Sequence, residues 1–235
     1  MTTYGLGDLP KSETPNVRAL DPRPNQLGGT DFIVEYDGRT IGLARLRVPG
    51  IHNVRNALAA IIVGLDLKVE FARICRALAG FGGVQRRFQL VGEINGVTVI
   101  DDYAHHPTEI RTTLAAARQR FPGRRLWAVW QPHTFSRTRL LASEFAGSFD
   151  AADRVIALDI YRSREAQDPG ISTADVVAQM AHPQTDYIPD RRAAADYLLE
   201  RVNPGDVVLT LGAGDGDAVG RWVLEGLQRQ RGVTR

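Results

Sequence analysis

The sequence predicts an α/β protein in which a doubly wound, mostly parallel sheet forms the larger part of the chain. Two observations predict it. From residue 93 onward, short aliphatic runs alternate with helical patterns, and the residues capable of chemistry stand directly after the aliphatic runs. The preceding stretch lacks this alternation and contains a hairpin pattern followed by two helical patterns. We therefore expect a domain over residues 1–85 that is incomplete by itself, and a second domain over residues 86–235.

The composition favours small-molecule chemistry. The 235 residues include 29 Lys and Arg and 27 Asp and Glu, interspersed to a net charge of +2, and 43% are hydrophobic. This balance argues against a nucleic-acid or membrane partner. The one cysteine, Cys75, excludes an internal disulfide framework and lies in an apolar pattern that predicts a buried structural thiol. No leader or bilayer-spanning run is evident, so a cytoplasmic location is expected.

The first region contains a hairpin and two helices. Residues 1–30 are rich in Pro, Gly, Asn and Thr and show little periodicity. Asp37-Gly38 stands between two short alternating runs, which is a hairpin signal. Apolar residues then recur at helical spacing over two stretches: Val54, Leu58, Ile61, Ile62 and Leu65, followed by Val69, Ile74 and Leu78. The glycines of "AGFGG" end the second helix.

The second region alternates strands and helices. Strands are predicted at "VTVID", "RLWAVWQ", "RVIALD", "TDYI" and "DVVLTLG". Helices are predicted at "PTEIRTTLAAARQRF", "RLLASEFAGSF", "TADVVAQMA", "RAAADYLLERV" and "DAVGRWVLEGLQRQ". Alternation at such short intervals predicts a parallel sheet with helices on both faces.

The turns after the predicted strands carry the chemistry. They read "DDYAHHP", "QPHTFSR", "DIYRSRE" and "GAGDGD", whereas the turns at the opposite edge, "RFPGRR" and "VNPG", are ordinary Pro and Gly loops. In doubly wound sheets, ligands bind beyond the carboxyl ends of the strands. The sequence therefore predicts a binding site at that rim of the sheet.

The turn "DDYAHHP" also opens a helix. Pro107 suits the first helical position, which leaves His106 near the cap and places Glu109 in the first turn. For His106 and Glu109 we favour this capping interpretation over a ligand role. Asp101 and Asp102 end the strand, and one of them could accept hydrogen bonds from sugar hydroxyls. A metal cage built from the two histidines and an Asp is a weaker alternative, because neighbouring His side chains point in different directions.

The turn "QPHTFSRTR" brings cations to the same rim. His133 and Arg137 are candidates to bind an anionic substrate group, since the Arg guanidinium presents a rigid fork that matches carboxylate or phosphate. Arg139 is interpreted as a solvated residue of the helix start. Two further signals lie earlier in the chain. His52, Asn53 and Asn56 stand at the mouth of a helix, where a same-face Asn pair could contact adenine, although Asn53 could instead be a cap.

The pair Arg86 and Arg87 stands at the junction of the two regions, where an Arg could close over a phosphate. The glycine-rich "LTLGAGDGD" is similar to the cofactor loop of methyltransferases that use S-adenosylmethionine. Its position argues against that function, because such a loop follows the first strand and here only one helix remains. We instead expect these glycines to permit a tight turn and a close backbone approach to a ligand.

In this order, "GIHNVRNALAA", "RRFQLVGEINGVTVIDDYAHHPTEI", "QPHTFSRT", "DIYRSRE" and "LTLGAGD" resemble the Mur ligases of peptidoglycan synthesis. The resemblance covers nearly the whole chain, and the double-acid, double-His turn with "QPH" is typical of the members that use L-alanine. It implies a Rossmann-like C-terminal domain preceded by part of a central ATPase domain. The implied reaction uses ATP to convert a carboxylate of UDP-N-acetylmuramate into an acyl phosphate, which the amine of L-alanine attacks.

The resemblance also implies roles for individual residues. His52, Asn53 and Asn56 would lie at the adenine, Arg87 at the ribose and phosphates, and Asp101 at the ribose hydroxyls. The incoming amino acid would be surrounded by Tyr103, His105 and Arg137, with His133 beside them. His105 and Arg87 would take the catalytic roles, with Arg87 offsetting charge on the transferred phosphoryl group.

Two departures from the family pattern are evident. Thr134 stands where many members carry Arg. The chain also contains no Gly-Lys-Ser/Thr phosphate loop, so this loop and the Mg²⁺ ligands are expected in an N-terminal part outside it, and this chain alone should be inactive. Two alternatives remain: a ligase that attaches a tripeptide to UDP-N-acetylmuramate, and a non-catalytic nucleotide- or amino-acid-binding module.

Overall fold

A computed structural model describes residues 3–7, 16–166, 168 and 170–233 of the chain, without the side chains of the last two. The chain forms two compact units, Met1–Gly83 and Val84–Arg235. Each unit has hydrophobic core clusters of its own. No helix in the described ranges is both long and apolar enough to cross a membrane.

In its described residues, the first unit contains a four-stranded sheet and two helices. Its elements are β1 (Tyr4–Leu6), β2 (Val17–Pro24), β3 (Thr30–Tyr36), β4 (Arg39–Arg45), α1 (Ile51–Asp66) and α2 (Phe71–Gly80). The strands lie in sequence order, with β1 parallel to β2 and the other pairs antiparallel. The predicted hairpin is confirmed as β3–β4, and Asp37 and Gly38 both have positive φ, as a tight hairpin turn requires.

The stretch without periodicity nevertheless holds β1 and β2. Strand β2 carries two prolines, Pro22 and Pro24, and its pairing with β3 shifts register between Leu20 and Arg23, where Asp21 has a φ of 50°. A bulge of this kind breaks the alternation of side chains on which sequence recognition depends. The strand forms because Val17 and Ala19 are fully buried in the core of this unit.

Both predicted helices of the first unit are present, and their apolar residues pack on the sheet. Val54, Leu58 and Ile61 of α1 are buried in this core. Cys75 packs at the margin of the core and is partly rather than fully buried. Burial raises the pKa of its thiol, so the thiol is protonated at neutral pH and behaves as an apolar group.

The second unit is a six-stranded sheet with helices on both faces, which confirms the predicted fold class. Its strands are β5 (Gln89–Ile94), β6 (Val97–Asp102), β7 (Leu126–Trp130), β8 (Arg154–Ala157), β9 (Thr185–Tyr187) and β10 (Val207–Leu211). Its helices are α3 (Pro107–Arg120), α4 (Phe135–Leu140), α5 (Ala142–Ala146), α6 (Thr173–Val177), α7 (Arg191–Leu199) and α8 (Asp217–Val233).

The strand order is β5-β6-β10-β7-β8-β9. All neighbouring strands are parallel except β5, which runs antiparallel to β6 and which the sequence pattern did not reveal. The single helix predicted at "RLLASEFAGSF" is instead part of two short helices, α4 and α5, that meet at Leu141. Because the last strand lies between β6 and β7, the carboxyl ends of β6, β10 and β7 are adjacent.

Two separate apolar clusters cover the two faces of this sheet. Ile100 of β6 and Ala128 of β7 pack on one side with Leu114 of α3, whereas their neighbours Val99 and Trp127 pack on the other side with α7 and α8. Strands covered on both faces are apolar at most positions, which explains the aliphatic runs in the sequence, and the buried Asp101 and Asp102 stand at the end of β6.

Candidate functional site

The site lies at the carboxyl ends of three adjacent strands of the second unit. Leu211 of β10 is paired with Asp102 of β6 on one side and with Trp130 of β7 on the other. The strands therefore end at the same level. The turns that follow them continue to interact, since the backbone N–H of Gln131 donates to Leu211 O at 2.9 Å and that of Gly212 donates to Asp102 O at 3.1 Å.

The turn after β6 leads into α3 through a capping box. His106 is the N-cap, and its Nδ1 accepts a hydrogen bond from Thr108 N at 3.2 Å. Glu109 reciprocates, because its carboxylate accepts from the backbone N–H of His106 at 3.2 Å and of His105 at 2.9 Å. Pro107 occupies the first helical position. The capping interpretation of His106 and Glu109 is confirmed.

A metal cage at this turn gains no support from the geometry. Nowhere in the described part of the chain do three His, Cys, Asp or Glu side chains converge in a way that could hold a metal ion. The Nδ1 of His106 accepts a hydrogen bond from the backbone of α3, so this nitrogen is not available as a metal ligand.

Asp101 is only 4% exposed, and both of its carboxylate oxygens accept hydrogen bonds from the protein. Arg86 Nε donates to Oδ2 at 2.9 Å, and Thr210 Oγ1 donates to Oδ1 at 2.7 Å. A carboxylate offers about four lone-pair directions, so a ligand hydroxyl could still share an oxygen with these donors. The nucleotide role of Asp101 remains a prediction, and its structural role is the observed one.

Asp102 is 6% exposed and supports the backbone of the turn. Its Oδ1 accepts from Ala104 N at 2.8 Å and its Oδ2 accepts from Phe88 N at 2.7 Å. Burial raises the pKa of Asp102, and these two N–H groups only partly oppose that effect. Asp102 thus ties the turn after β6 to the segment that precedes β5.

The two neighbouring arginines differ in their surroundings. The guanidinium of Arg86 is directed inward, where it reaches Asp101 and the backbone oxygens of Gly212 and Gly214. Arg87 is exposed, and its guanidinium carbon lies 5.6 Å from the centroid of the Tyr103 ring. Of the pair, Arg87 is the one that can approach a ligand anion.

Four rings form a row along the rim, which we call the aromatic row: Tyr103, His105, His133 and Tyr161. Successive ring centroids are 5.2, 5.8 and 5.7 Å apart, with the first pair edge-on and the last pair stacked. The Nδ1 of His105 is 2.8 Å from Tyr103 O. A carbonyl oxygen only accepts, so Nδ1 carries the proton of that bond and Nε2 is the acceptor of the neutral ring.

Arg137 lies beside the row. Its NH1 is 3.4 Å from His133 Nδ1, and because guanidinium only donates, the Nδ1 of His133 is the acceptor. Burial, followed by the positive charge of Arg137 and by His105, lowers the pKa of His133, whereas Glu165 opposes the shift. The arrangement therefore combines a fixed cation with an imidazole that is held neutral.

This shift predicts that His133 titrates below its ordinary pKa of about 6.5. The folded protein then binds fewer protons at His133 than the unfolded chain does. Its contribution to the unfolding free energy is therefore present above pH 6.5 and is lost as the pH falls below that value. An NMR titration of the histidine ring resonances should show this, and Arg137→Ala should raise the pKa of His133. A titration at or above 6.5 would contradict the described environment.

The turn after β7 is held in place by residues of the next βα turn. Thr134 adopts a φ of 67°, and its N–H donates to Tyr161 O at 2.9 Å. Glu165 accepts from Phe135 N at 2.6 Å and from Ser136 N at 3.1 Å, so it caps α4 in place of an N-cap side chain. Arg139, which we expected to be solvated, is half exposed and forms an ion pair with Asp168.

The glycine-rich turn after β10 packs against the protein itself. A Cβ added at Gly212, whose φ is 152°, would lie 2.8 Å from Gln131 O. One added at Gly214 would lie 2.5 Å from Tyr161 Cγ. Gln131 also accepts from Gly216 N at 2.8 Å. We expected these glycines to let the backbone approach a ligand. At Gly212 and Gly214 the backbone instead lies close to Gln131 and Tyr161.

Three residues of this rim were not identified from the sequence: Arg86 as a partly buried anchor, Gln131 and Tyr161. Gln131 also donates through its Nε2 to Asp215 Oδ1 at 2.9 Å. Gln131 and Tyr161 stand in the turns "QPHTFSR" and "DIYRSRE", and their position after predicted strands is the sequence feature that could have identified them. Polar or aromatic type alone does not distinguish a ligand contact from a contact between neighbouring turns.

The remaining predicted site residues belong to the first unit. His52, Asn53 and Asn56 lie in the first two turns of α1, whose N-cap is Gly50 rather than Asn53. The Nδ2 of Asn53 donates to Pro49 O at 2.7 Å, and the Nδ2 of Asn56 lies 3.4 Å from Asn53 Oδ1. The two amides therefore share one face of the helix, as their spacing predicted, and Asn56 is exposed.

Comparison with known proteins identifies relatives of both units. The family described as Mur ligase, glutamate ligase domain, matches residues 86–214. The UDP-N-acetylmuramate–L-alanine ligase of Geobacter sulfurreducens is 47% identical over 216 residues, which are 91% of this chain and 46% of that protein. The ligase of the same name from Salinibacter ruber is 50% identical over 189 residues, which are 79% of this chain and 40% of that protein.

A solved structure agrees with these sequence relatives. The UDP-N-acetylmuramate–alanine ligase of Thermotoga maritima matches with a TM-score of 0.78 at 27% identity, over 93% of this chain and 47% of that one. A murein peptide ligase of Psychrobacter arcticus matches with a TM-score of 0.63 at 25% identity, over 95% of this chain and 46% of that one. The chain thus spans about half the length of the relatives it matches.

Proposed function

The chain belongs to the Mur ligase family, and from this membership we propose that it is the C-terminal part of an ATP-dependent ligase that joins L-alanine to UDP-N-acetylmuramate. The observation that carries the proposal is the placement of Arg137 beside the aromatic row. A fixed cation next to an imidazole acceptor suits a zwitterionic amino acid, whose carboxylate and amine need opposite partners.

The amino acid would bind along the aromatic row. Arg137 pairs with the alanine carboxylate, and His133 lies beside this pair as a neutral imidazole. Nε2 of His105, the acceptor of that ring, takes a hydrogen bond from the amine, and Tyr103 holds the ring edge-on. These contacts would orient the amine for attack and accept its proton.

The nucleotide residues that the resemblance implies are assigned to separate parts of ATP. His52, Asn53 and Asn56 are assigned to the adenine, for which an amide offers both a donor and an acceptor. Asp101 is assigned to the ribose hydroxyls. The exposed Arg87 is assigned to the phosphates, where its charge would offset the charge developing on the transferred phosphoryl group.

The proposed reaction has two steps. The carboxylate of UDP-N-acetylmuramate attacks the γ-phosphorus of ATP and releases ADP, and the amine of L-alanine then attacks the acyl phosphate and releases inorganic phosphate. Mg²⁺ supplies charge neutralisation to such phosphoryl transfers. We assign it no residue of this chain and expect its ligands in the part of the relatives that this chain does not match. We propose a cytoplasmic location for the enzyme, where it would have access to all three substrates.

The test is an assay of the whole protein. Purified full-length protein should release phosphate only when ATP, UDP-N-acetylmuramate and L-alanine are all present, and mass spectrometry should identify the amide product. Turnover with a tripeptide in place of L-alanine would instead support the tripeptide ligase. Nucleotide binding without turnover would favour the non-catalytic module, and binding of S-adenosylmethionine without ATP binding would exclude any ligase.

The adenine assignment predicts a selective effect of Asn56→Ala in the full-length enzyme. The KM for ATP should rise about two- to tenfold, since a neutral hydrogen bond contributes about 0.5–1.5 kcal/mol. Stability should barely change because Asn56 is exposed. Asp66→Ala, at the other end of the same helix, serves as the control. Steady-state kinetics decide the matter, and equal ATP KM values for both variants would remove Asn56 from the nucleotide site.

A further inference from the structure

We propose that Arg86 is a positioning residue that holds the nucleotide end and the amino-acid end of the site in one arrangement. It would act through two neighbours, Asp101 and Tyr103, rather than by contacting a substrate. The inference rests on the proposed function, because those two neighbours carry roles only in the ligase. Its geometric part can be tested without any turnover.

The first support is the way in which the guanidinium of Arg86 connects separate segments. Its Nε donates to Asp101 Oδ2 at 2.9 Å, at the end of β6. Its NH2 donates to Gly212 O at 3.0 Å and its NH1 to Gly214 O at 3.2 Å, both in the turn after β10. The carboxylate of Asp217, where α8 begins, lies 4.0 Å away. Each of the three nitrogens therefore has its own acceptor.

The second support is the contact between Arg86 and Tyr103. The guanidinium carbon is 5.1 Å from the centroid of the Tyr103 ring, which is within the range of a cation–π contact. The backbone reinforces it, since Tyr103 N donates to Arg86 O at 2.7 Å. Tyr103 in turn meets His105 edge-on, so the position of the first ring influences the whole aromatic row.

The third support is the backbone conformation at Arg86. Its φ is 58°, in the left-handed region that non-glycine residues rarely adopt, and its N–H donates to Gln89 Oε1 at 2.8 Å. Such a conformation persists only where surrounding contacts over-determine it. It also determines the direction in which the chain presents the next residue, Arg87, which is assigned to the phosphates.

A lysine cannot reproduce these contacts. Its single ammonium nitrogen keeps the charge but cannot reach three acceptors spread along a planar fork, and it lacks the planar group that stacks on a ring. Arg124 provides a matched control, because its guanidinium also donates several hydrogen bonds, through Nε and NH2, at the opposite edge of the same sheet. It donates to the oxygens of Gly205, Gly96, Thr98 and Asp206.

The experiment compares Arg86→Lys with Arg124→Lys in the full-length enzyme. We expect Arg86→Lys to lower kcat/KM for L-alanine and for ATP by about five- to tenfold, because misplacement of reacting groups is costly. Both variants should lower the midpoint of urea unfolding to a similar extent. Arg124→Lys, however, should leave both kcat/KM values within about twofold of the wild type. This difference separates positioning from simple stability.

A second measurement does not depend on turnover. The NMR ring resonances of His105 and His133 should shift in Arg86→Lys and stay in place in Arg124→Lys. Unchanged resonances, or unchanged kcat/KM in an active enzyme, would overturn the positioning role. If the wild type is inactive with L-alanine while the resonances shift, the proposed function fails and the positioning of the aromatic row by Arg86 is upheld.

Discussion

Replacing Arg137 with alanine in the full-length enzyme should raise the KM for L-alanine by about 10- to 100-fold. The lost interaction is a charge-assisted hydrogen bond to the substrate carboxylate, which contributes about 1.5–3 kcal/mol. The kcat should change less, because the carboxylate of alanine does not react and its binding is the same in the ground state and the transition state. Initial rates at saturating ATP and UDP-N-acetylmuramate measure both constants.

The matched control is Arg139→Ala. Arg139 lies two residues further along α4, is exposed and pairs with Asp168, so its removal also deletes one positive charge from the same helix. It should leave the KM for L-alanine within about twofold, as expected for a surface ion pair. If both variants raise this KM equally, the cause is the loss of positive charge from the helix and not a specific contact of Arg137. If neither does, Arg137 does not bind the substrate.

Gly214→Ala should destabilise the second unit by about 1–3 kcal/mol, which is the usual cost of overpacking a close contact. The new Cβ would lie 2.5 Å from Cγ and 2.8 Å from Cβ of Tyr161, so the ring or the turn must move. Because Tyr161 stacks on His133, this movement should also disturb the amino-acid end of the site.

Urea unfolding followed by tryptophan fluorescence measures the change. The three tryptophans, Trp127, Trp130 and Trp222, all belong to the second unit and therefore report on it. Gly147→Ala is the control, since Gly147 has a φ of −98° and its nearest contact for an added Cβ is 4.0 Å away. Equal stability of the two variants would show that the turn yields without cost.

Local signals predicted much of the second unit. The aliphatic runs for β6, β7, β8 and β10 were recognisable because strands covered on both faces are apolar at most positions, whereas β9 is a short edge strand that is only partly buried. The start of α3 was recognisable because a capping box depends on neighbours within four residues. Strand β5 was not, since Leu90 and Val91 are exposed and its pairing shifts register between Leu90 and Gly92.

The sequence by itself determined which residue types reach the rim. Strand-then-helix alternation sends every turn after a parallel strand to the same edge, and this is why His133 and Arg137 could be chosen in advance, whereas His105 was assigned through the resemblance to the family. Their mutual contacts agree with that choice.

Only the tertiary structure decided how the rim residues divide their tasks. Residue type and spacing do not distinguish Arg86 from Arg87, yet the first is anchored to a turn 126 residues away in the chain, whereas the second is exposed. Likewise, Gln131 and Gly216 meet across 85 residues. Hydrogen bonds over such separations leave no periodicity or local spacing in the sequence, because they depend on the order in which the strands assemble.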